Sequence, residues 1–222
     1  MILDKNQIIT HPFVFLDNWL TEEELKKIND YCISQGVEES KVIYNNGEQQ
    51  TDSSIRQSST KFHSMNDENR YIFEKIRDAS SYINLQSYQF DLIGFDFFQY
   101  GEYKAESNDF YNYHIDMTLG EGIPHGMTYP RKLSLSIILN DPSEYEGGEL
   151  EFNWGMKEKI IVEQPKGRLI AFPSWLMHRV TPVTKGIRRS IVVWIVGSKF
   201  KDRKSTRLNS SHEWISRMPS SA

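Results

Sequence analysis

Between residues 86 and 200 the chain is a succession of short β-rich runs, and this pattern limits the possible folds more than any other feature. The runs are "FDLIGFDFFQY", "KLSLSIILN", "GGELEF", "KIIVEQP", "GRLIAFP" and "RRSIVVWIVG". Turn-forming residues separate them: Asn140-Asp141-Pro142, Gly147-Gly148, Pro165, Gly167, Pro173 and Lys185-Gly186. Leu133-Ser134-Leu135-Ser136 alternates at period two, so one strand face is apolar and the other polar. Such strands need a second layer on which to bury the apolar face.

Two helices before this region can provide that layer. In "LTEEELKKINDYCISQG", Thr21 is placed as an N-cap and Glu24 completes a capping box. Leu25, Ile28 and Cys32 follow at helical spacing, and Gly36 ends the helix. "NDENRYIFEKIRDASSYIN" predicts a second amphipathic helix with Ile72, Ile76 and Ala79 on one face. Phe13 to Leu16 read as a short strand. Residues 38–66 are polar, with a turn at Asn45-Asn46-Gly47, and predict loops with short strands. The expected class is α+β, with a sandwich or jelly roll as its larger part.

Composition excludes several functions. The formal charge is −4, but residues 201–222 carry +3, which leaves −7 on residues 1–200. An acidic body argues against a nucleic-acid partner. No apolar run is long enough to cross a bilayer, and the N-terminal "MILDKNQIITHPF" lacks a signal-like apolar stretch. The single Cys32 excludes an intrachain disulfide and a cysteine-based zinc site. These points predict a soluble, cytoplasmic protein without a membrane partner. The polar, Ser-rich segment 201–222 is expected to be a disordered or foreign tail after a single domain spanning 1–200.

The chemistry concentrates in "YNYHIDMT" and "FPSWLMHRVTPVTKGIRRS". On extended backbone His114 and Asp116 point to one side, with Ile115 packing behind. His178, 62 residues after Asp116, can return to the same spot through antiparallel strands. Two histidines and one carboxylate match the facial arrangement that holds Fe(II) and leaves three positions open. A lone H-x-D is also common as a surface pair, and His11, His63, His125 and His212 have no such company. Ten residues after His178 comes Arg188, then Ser190, sharing a strand face with Val192 and Trp194. A guanidinium fork binds carboxylates bidentately, and a buried one without an acidic partner is costly, so a dianionic ligand is the expected partner. Ser190 can add a hydrogen bond to the same carboxylate, and Arg189 is read as a strand-edge charge.

His114-x-Asp116, His178, "HRVTPVTKGIRRS", "DPSEYEGGELEF" and "LDNWLTEEEL" together resemble the 2-oxoglutarate- and Fe(II)-dependent dioxygenases of the prolyl 4-hydroxylase-like branch, over roughly residues 12–200. The resemblance implies a double-stranded β-helix, a jelly roll or cupin-like core at about 86–200, with N-terminal supporting helices. It implies iron at His114, Asp116 and His178, and 2-oxoglutarate anchored by Arg188, with Ser190 and Tyr100 as further cosubstrate contacts. It also implies L-ascorbate as reductant, O2 as co-reactant, and a peptidyl or small-molecule substrate. The implied reaction hydroxylates a prolyl or other amino-acid residue and releases succinate and CO2. A small-molecule or free amino-acid hydroxylase, and a non-catalytic metal-binding jelly roll, stay open as alternatives; Arg188 separates the last, because a metal binder needs no such guanidinium. Tyr111 and Tyr113 are read either as the mouth of the pocket or as ordinary packing, and so is Trp175. Gly147-Gly148 is read as a positive-φ turn that leaves Leu150 and Phe152 facing the core.

Overall fold

A computed structural model describes residues 12–43, 49–117, 129–155 and 159–199. The Asn45-Asn46-Gly47 turn, His11, His125, His212 and the tail lie outside these residues. In chain order the elements are β1 (Val14–Leu16), α1 (Glu22–Ser34), β2 (Glu38–Glu39), β3 (Val42–Ile43), β4 (Gln49–Gln50), β5 (Arg56–Gln57), β6 (Ser59–Ser64) and α2 (Arg70–Ile83). Then follow β7 (Leu92–Gly94), β8 (Phe97–Lys104), β9 (Phe110–His114), β10 (Arg131–Ile138), β11 (Tyr145–Gly147) and β12 (Leu150–Asn153). The last four strands are β13 (Ile160–Val162), β14 (Leu169–Pro173), β15 (Met177–Val180) and β16 (Val183–Gly197).

The strands form two main antiparallel sheets. The larger runs β1-β14-β10-β16-β8-β6-β2, with β7 and β11 also paired to β16. The smaller runs β13-β12-β15-β9-β5, and β3 pairs β4 separately. This is the jelly-roll, cupin-like architecture, although the sheets do not close into a barrel. The segment before residue 66 contributes more than the sequence suggests. β6 pairs with β8 over six residues and extends the large sheet.

Alternation along the large sheet creates two environments. Leu133, Leu135 and Ile137 of β10, Ile191, Val193 and Ile195 of β16, and Leu169 and Ala171 of β14 share one core with the helices. Leu25, Ile28 and Cys32 of α1 and Ile72, Ile76 and Ala79 of α2 meet them there, as the helical spacing predicts. The intervening residues turn the other way: Ile170 and Phe172 of β14 join Leu150 and Phe152 of β12 between the sheets. Ser134, Ser136, Ser190 and Val192 stand on that same inner side, and Ser134 bonds Asp116 across it. The α1 capping box is formed, with the Glu24 N–H donating to Thr21 Oγ1 and the Thr21 N–H to Glu24 Oε2. Gly36, at φ 69°, follows the helix.

Lys185-Gly186 departs from its expected role. It is not a turn between strands but lies inside β16, opposite Tyr145 of β11. Gly186 has φ 67°, and any side chain there would run into the Glu144 carbonyl. Close backbone approach, rather than chain reversal, explains this glycine.

Ile76 is fully buried between α2 and the sheet, whereas Ile161 is 58% exposed. Ile76→Ala is expected to cost about 2–5 kcal/mol. Ile161→Ala should stay within about 0.5 kcal/mol of the parent. Urea denaturation of the two variants measures both.

Candidate metal centre and anion pocket

β9 and β15 are neighbours in the small sheet, and their pairing sets His178 directly opposite His114. The chain leaves β9 after His114, and the Asp116 and Met117 N–H groups both donate to the Ser174 carbonyl, 2.9 Å away in each case. That anchor turns Asp116 toward the two histidines. One ligand atom from each of His114, Asp116 and His178 lies within 4.8 Å of the others. His114 Nε2 is 3.7 Å from Asp116 Oδ1, and His178 Nε2 is 3.6 Å from Asp116 Oδ2.

The outer atoms of the site are fixed as well. His114 Nδ1 lies 2.8 Å from the Asn112 carbonyl and His178 Nδ1 lies 2.8 Å from the Leu176 carbonyl. A carbonyl only accepts, so each Nδ1 carries the proton and each Nε2 presents its lone pair toward Asp116. Ser134 Oγ donates to Asp116 Oδ2 at 2.7 Å and lies 2.9 Å from Ser174 Oγ. Burial first, and then the neighbouring His178, push the His114 imidazole down to about 3, so it is neutral across the physiological range. Burial alone would raise the Asp116 carboxyl, but His178, His114, Arg131 and the Ser134 hydroxyl together hold it below the ordinary carboxylate range. Two imidazoles presenting Nε2 lone pairs and one carboxylate suit a divalent cation. Ile115 differs from its expected role: it is 41% exposed and borders the cavity instead of packing behind the ligands.

The triad opens into a cavity of about 190 Å³ between the sheets. Arg188, Ser190, Val192 and Trp194 of β16 line its opposite wall, as the period-two reading of "RRSIVVWIVG" predicts. Arg188 is 1% exposed. Its Nε and Nη2 donate to Gln164 Oε1 at 3.2 and 2.7 Å, and its Nη1 donates to Ser190 Oγ at 3.0 Å. The Tyr103 ring lies 5.5 Å from the guanidinium carbon. Among the described residues no carboxylate comes within ion-pair distance. The buried Tyr145 hydroxyl feels the Arg188 charge, yet makes no well-formed hydrogen bond among the described residues. Burial pulls the guanidinium below its usual proton affinity. Arg189 points away from the cavity, toward Glu102 at 3.4 Å.

Tyr100 is not beside the cavity. It is fully buried in the helix-facing core, and its hydroxyl donates to Glu102 at 2.8 Å. Parity along β8 is the reason: Phe98 and Tyr100 face the helices, while Gln99 and Tyr103 face the cavity. Tyr103 is directly opposite Arg188 in the β8–β16 register, so it holds the place expected of Tyr100. Tyr111 borders the cavity and stacks on the His114 ring at 3.6 Å between centroids. Tyr113 lies on the outer face, donating to Glu151 at 3.0 Å. Trp175 packs on Phe90, and His63 stacks on Phe98 in the core.

Gln164 and Gly148 were not legible as site residues. Gln164 Nε2 donates to the Gly148 carbonyl at 3.0 Å, which orients its oxygen toward Arg188. Gly148 has φ 66°, and a methyl there would stand 2.8 Å from Arg188 Cδ.

Residues 98–196 match the family model of the 2OG-Fe(II) oxygenase superfamily. A PKHD-type hydroxylase of Aliarcobacter butzleri is 38% identical over 94 residues, covering 41% of this chain and 40% of that protein. The PKHD-type hydroxylase YbiX of Escherichia coli O157:H7 is 34% identical over 105 residues, covering 47% and 45%. These alignments span less than half the length of either relative. Among solved structures, a prolyl-4-hydroxylase of Pseudomonas putida has a TM-score of 0.64 at 18% identity, covering 85% of this chain and 94% of that one. A Trichoplax adhaerens prolyl hydroxylase, solved with a hypoxia inducible factor peptide fragment, has a TM-score of 0.67 at 18% identity and 86% coverage of both chains. The region of residues 98–196 is thus similar to the 2OG-Fe(II) oxygenase superfamily. Its resemblance is to the prolyl 4-hydroxylase-like branch, on the motifs read from the sequence.

A comparison of two glycines tests the packing behind Arg188. Gly155 also has positive φ, but among the described residues nothing lies within 4 Å of a side chain built there. Gly155→Ala is expected to cost only the backbone strain, about 1–2 kcal/mol. Gly148→Ala should cost clearly more, because the methyl also meets Arg188. Equal losses in chemical denaturation would show that Arg188 yields freely.

Proposed function

We propose that this chain is an Fe(II)- and 2-oxoglutarate-dependent hydroxylase, acting on a prolyl or other amino-acid residue. The observation that carries the reading is Arg188: a fully buried guanidinium with only neutral partners among the described residues, facing the same cavity as a cation-binding triad. Leaving such a charge uncompensated costs several kcal/mol. A ligand with one carboxylate for Arg188 and donor oxygens for a metal compensates it. A metal-binding module without turnover has no use for that guanidinium.

In this reading His114, Asp116 and His178 hold the iron. When bound, the metal and the 2-oxo acid supply oxygen activation, with succinate and CO2 as co-products and L-ascorbate as the reductant that maintains Fe(II). The remaining work belongs to the protein. The Asn112 and Leu176 carbonyls keep both Nδ1 atoms protonated, so the Nε2 lone pairs stay available. Ser134 fixes one Asp116 oxygen. Gln164 and Ser190 hold the Arg188 fork in one orientation, and Ser190 can turn its hydroxyl to the incoming carboxylate. Phe172, whose ring lies 4.7 Å from that of His178, and Val192 keep the wall apolar. The prolyl hydroxylases among the structural neighbours support the fold of this reading, and the PKHD-type relatives support its reaction class.

Arg188→Ala is expected to weaken 2-oxoglutarate binding more than about tenfold, because it removes a charge-assisted bidentate contact. Metal affinity should hold. Arg188→Lys should recover part of the loss, and Arg189→Ala should change little. An anaerobic 2-oxoglutarate titration of the Fe(II) protein reads all three. Unchanged affinity in Arg188→Ala would remove the 2-oxo acid from this pocket.

Asp116→Ala is expected to lose tight divalent-metal binding, measured by equilibrium dialysis. With it should go the release of succinate from 2-oxoglutarate. Full coupled turnover at limiting Fe(II) in that variant would refute the ligand assignment.

A further inference from the structure

Among the described residues the cavity is more cationic than the proposed cofactors require. Four basic side chains line it (Lys41, Arg56, Arg131 and Arg188), while Asp116 is its sole carboxylate among the described residues. A divalent metal with Asp116, and a 2-oxo dianion with Arg188, balance one another in formal charge. Lys41, Arg56 and Arg131 are then left over, all on the cavity wall.

The two arginines are built into that wall. Arg56 is 7% exposed. Its Nε donates to Ser58 Oγ at 2.8 Å and its guanidinium lies 4.7 Å from the centre of the Tyr111 ring. Its two terminal nitrogens donate to no acceptor among the described residues, and Arg56 lines the cavity. Arg131 stacks on Trp194 at 4.0 Å, and among the described residues its Nη1 reaches only the Asp116 backbone carbonyl, at 3.4 Å. No carboxylate side chain among the described residues forms an ion pair with either. Tyr111 joins the two: it carries Arg56 on its ring, stacks on His114, and its hydroxyl lies within electrostatic reach of both guanidinia. The two charges thus stand beside the triad, where the primary substrate would lie.

We propose that Arg56 and Arg131 form a subsite for a carboxylate of the primary substrate. This rests on the preceding reading for the position of the reacting centre, but not for the existence of the subsite. The carboxylate orients the substrate by charge-assisted hydrogen bonds to the free Arg56 fork, with Lys41 at the exposed rim strengthening the attraction. The carboxylate can be the terminal one of a free amino acid or the side chain of an acidic residue in a peptide. The chemistry recognised is the same, and the substrate is anionic in either case.

Calorimetric titration of the full chain tests this with two pairs of probes. One is N-acetyl-L-proline against N-acetyl-L-prolinamide. The other is acetylated, amidated Asp-Pro against Asn-Pro. Titrations are run with Mn(II) and saturating 2-oxoglutarate, so that Arg188 is occupied, and repeated without either. At least one acid should bind about tenfold more tightly than its neutral partner, the worth of one charged hydrogen bond. The pair that discriminates identifies the source of the carboxylate. Arg56→Gln should erase that preference and Arg56→Lys should restore part of it. Far-ultraviolet circular dichroism and the thermal midpoint establish that the variants are folded. If neither pair discriminates in the parent, or if folded Arg56→Gln keeps the preference, the subsite is refuted. Failure of the preceding reading looks different: 2-oxoglutarate itself does not bind. In that case the titrations without it still decide, because the preference must depend on Arg56 and survive in Arg188→Gln.

Discussion

Everything in this protein hangs on the two-sidedness of one fifteen-residue strand. β16 pairs with β8, β10, β7 and β11, so half of the other strands of the large sheet are hydrogen-bonded directly to it. Its odd-numbered apolar residues, Ile191, Val193 and Ile195, are locked into the helix-facing core. That burial leaves the register no freedom, because a slip of one residue would drive Arg188 into the helices and Ile191 into the cavity. The site is therefore held by the same contacts that hold the fold. The polar face of β16 is specified by the apolar one.

The cavity wall charges the molecule a different kind of cost. Arg188 sits among Gln164, Ser190 and Tyr103 with no counter-ion among the described residues, while an ordinary core would use an aliphatic residue there. Gln164 supplies an oriented dipole and not a charge. A full carboxylate at that position would neutralise the guanidinium permanently and compete with any anionic ligand. A neutral acceptor holds the fork in place while leaving its charge available.

The sequence was readable wherever periodicity and spacing carry the signal. The capping box at Thr21, the buried faces of both helices and the alternation of β10 and β16 follow from i, i+2 and i, i+3/i+4 rules, whereas the convergence of His114, Asp116 and His178 rests on the order of the motifs along the chain. The misreadings share one origin, which is that strand pairing is not local. Tyr100 and Tyr103 are three residues apart, on opposite faces of one strand. Only the β8–β16 register, set by residues almost ninety positions away, decides which of them meets Arg188. Gln164 and Gly148 reach Arg188 through tertiary contacts that no spacing encodes. Gly186 resembles a turn in sequence because it needs positive φ, whereas its real reason is the Glu144 backbone pressed against it. Ile115 escapes the period-two pattern because β9 ends at His114, one residue before it.

The triad and Arg188 belong to different sheets. His114 and His178 ride on β9 and β15, Arg188 on β16, and the Ser134–Asp116 hydrogen bond is one polar tie between the layers at this level. A molecule that grips a metal at one wall and a guanidinium at the other becomes a mechanical strut across an unclosed sandwich. Its uptake would damp the breathing of the two layers against each other, and its departure would release them. Loading and rigidity would then rise and fall together, and slower amide exchange in β9, β15 and β16 would be the mark of the loaded state.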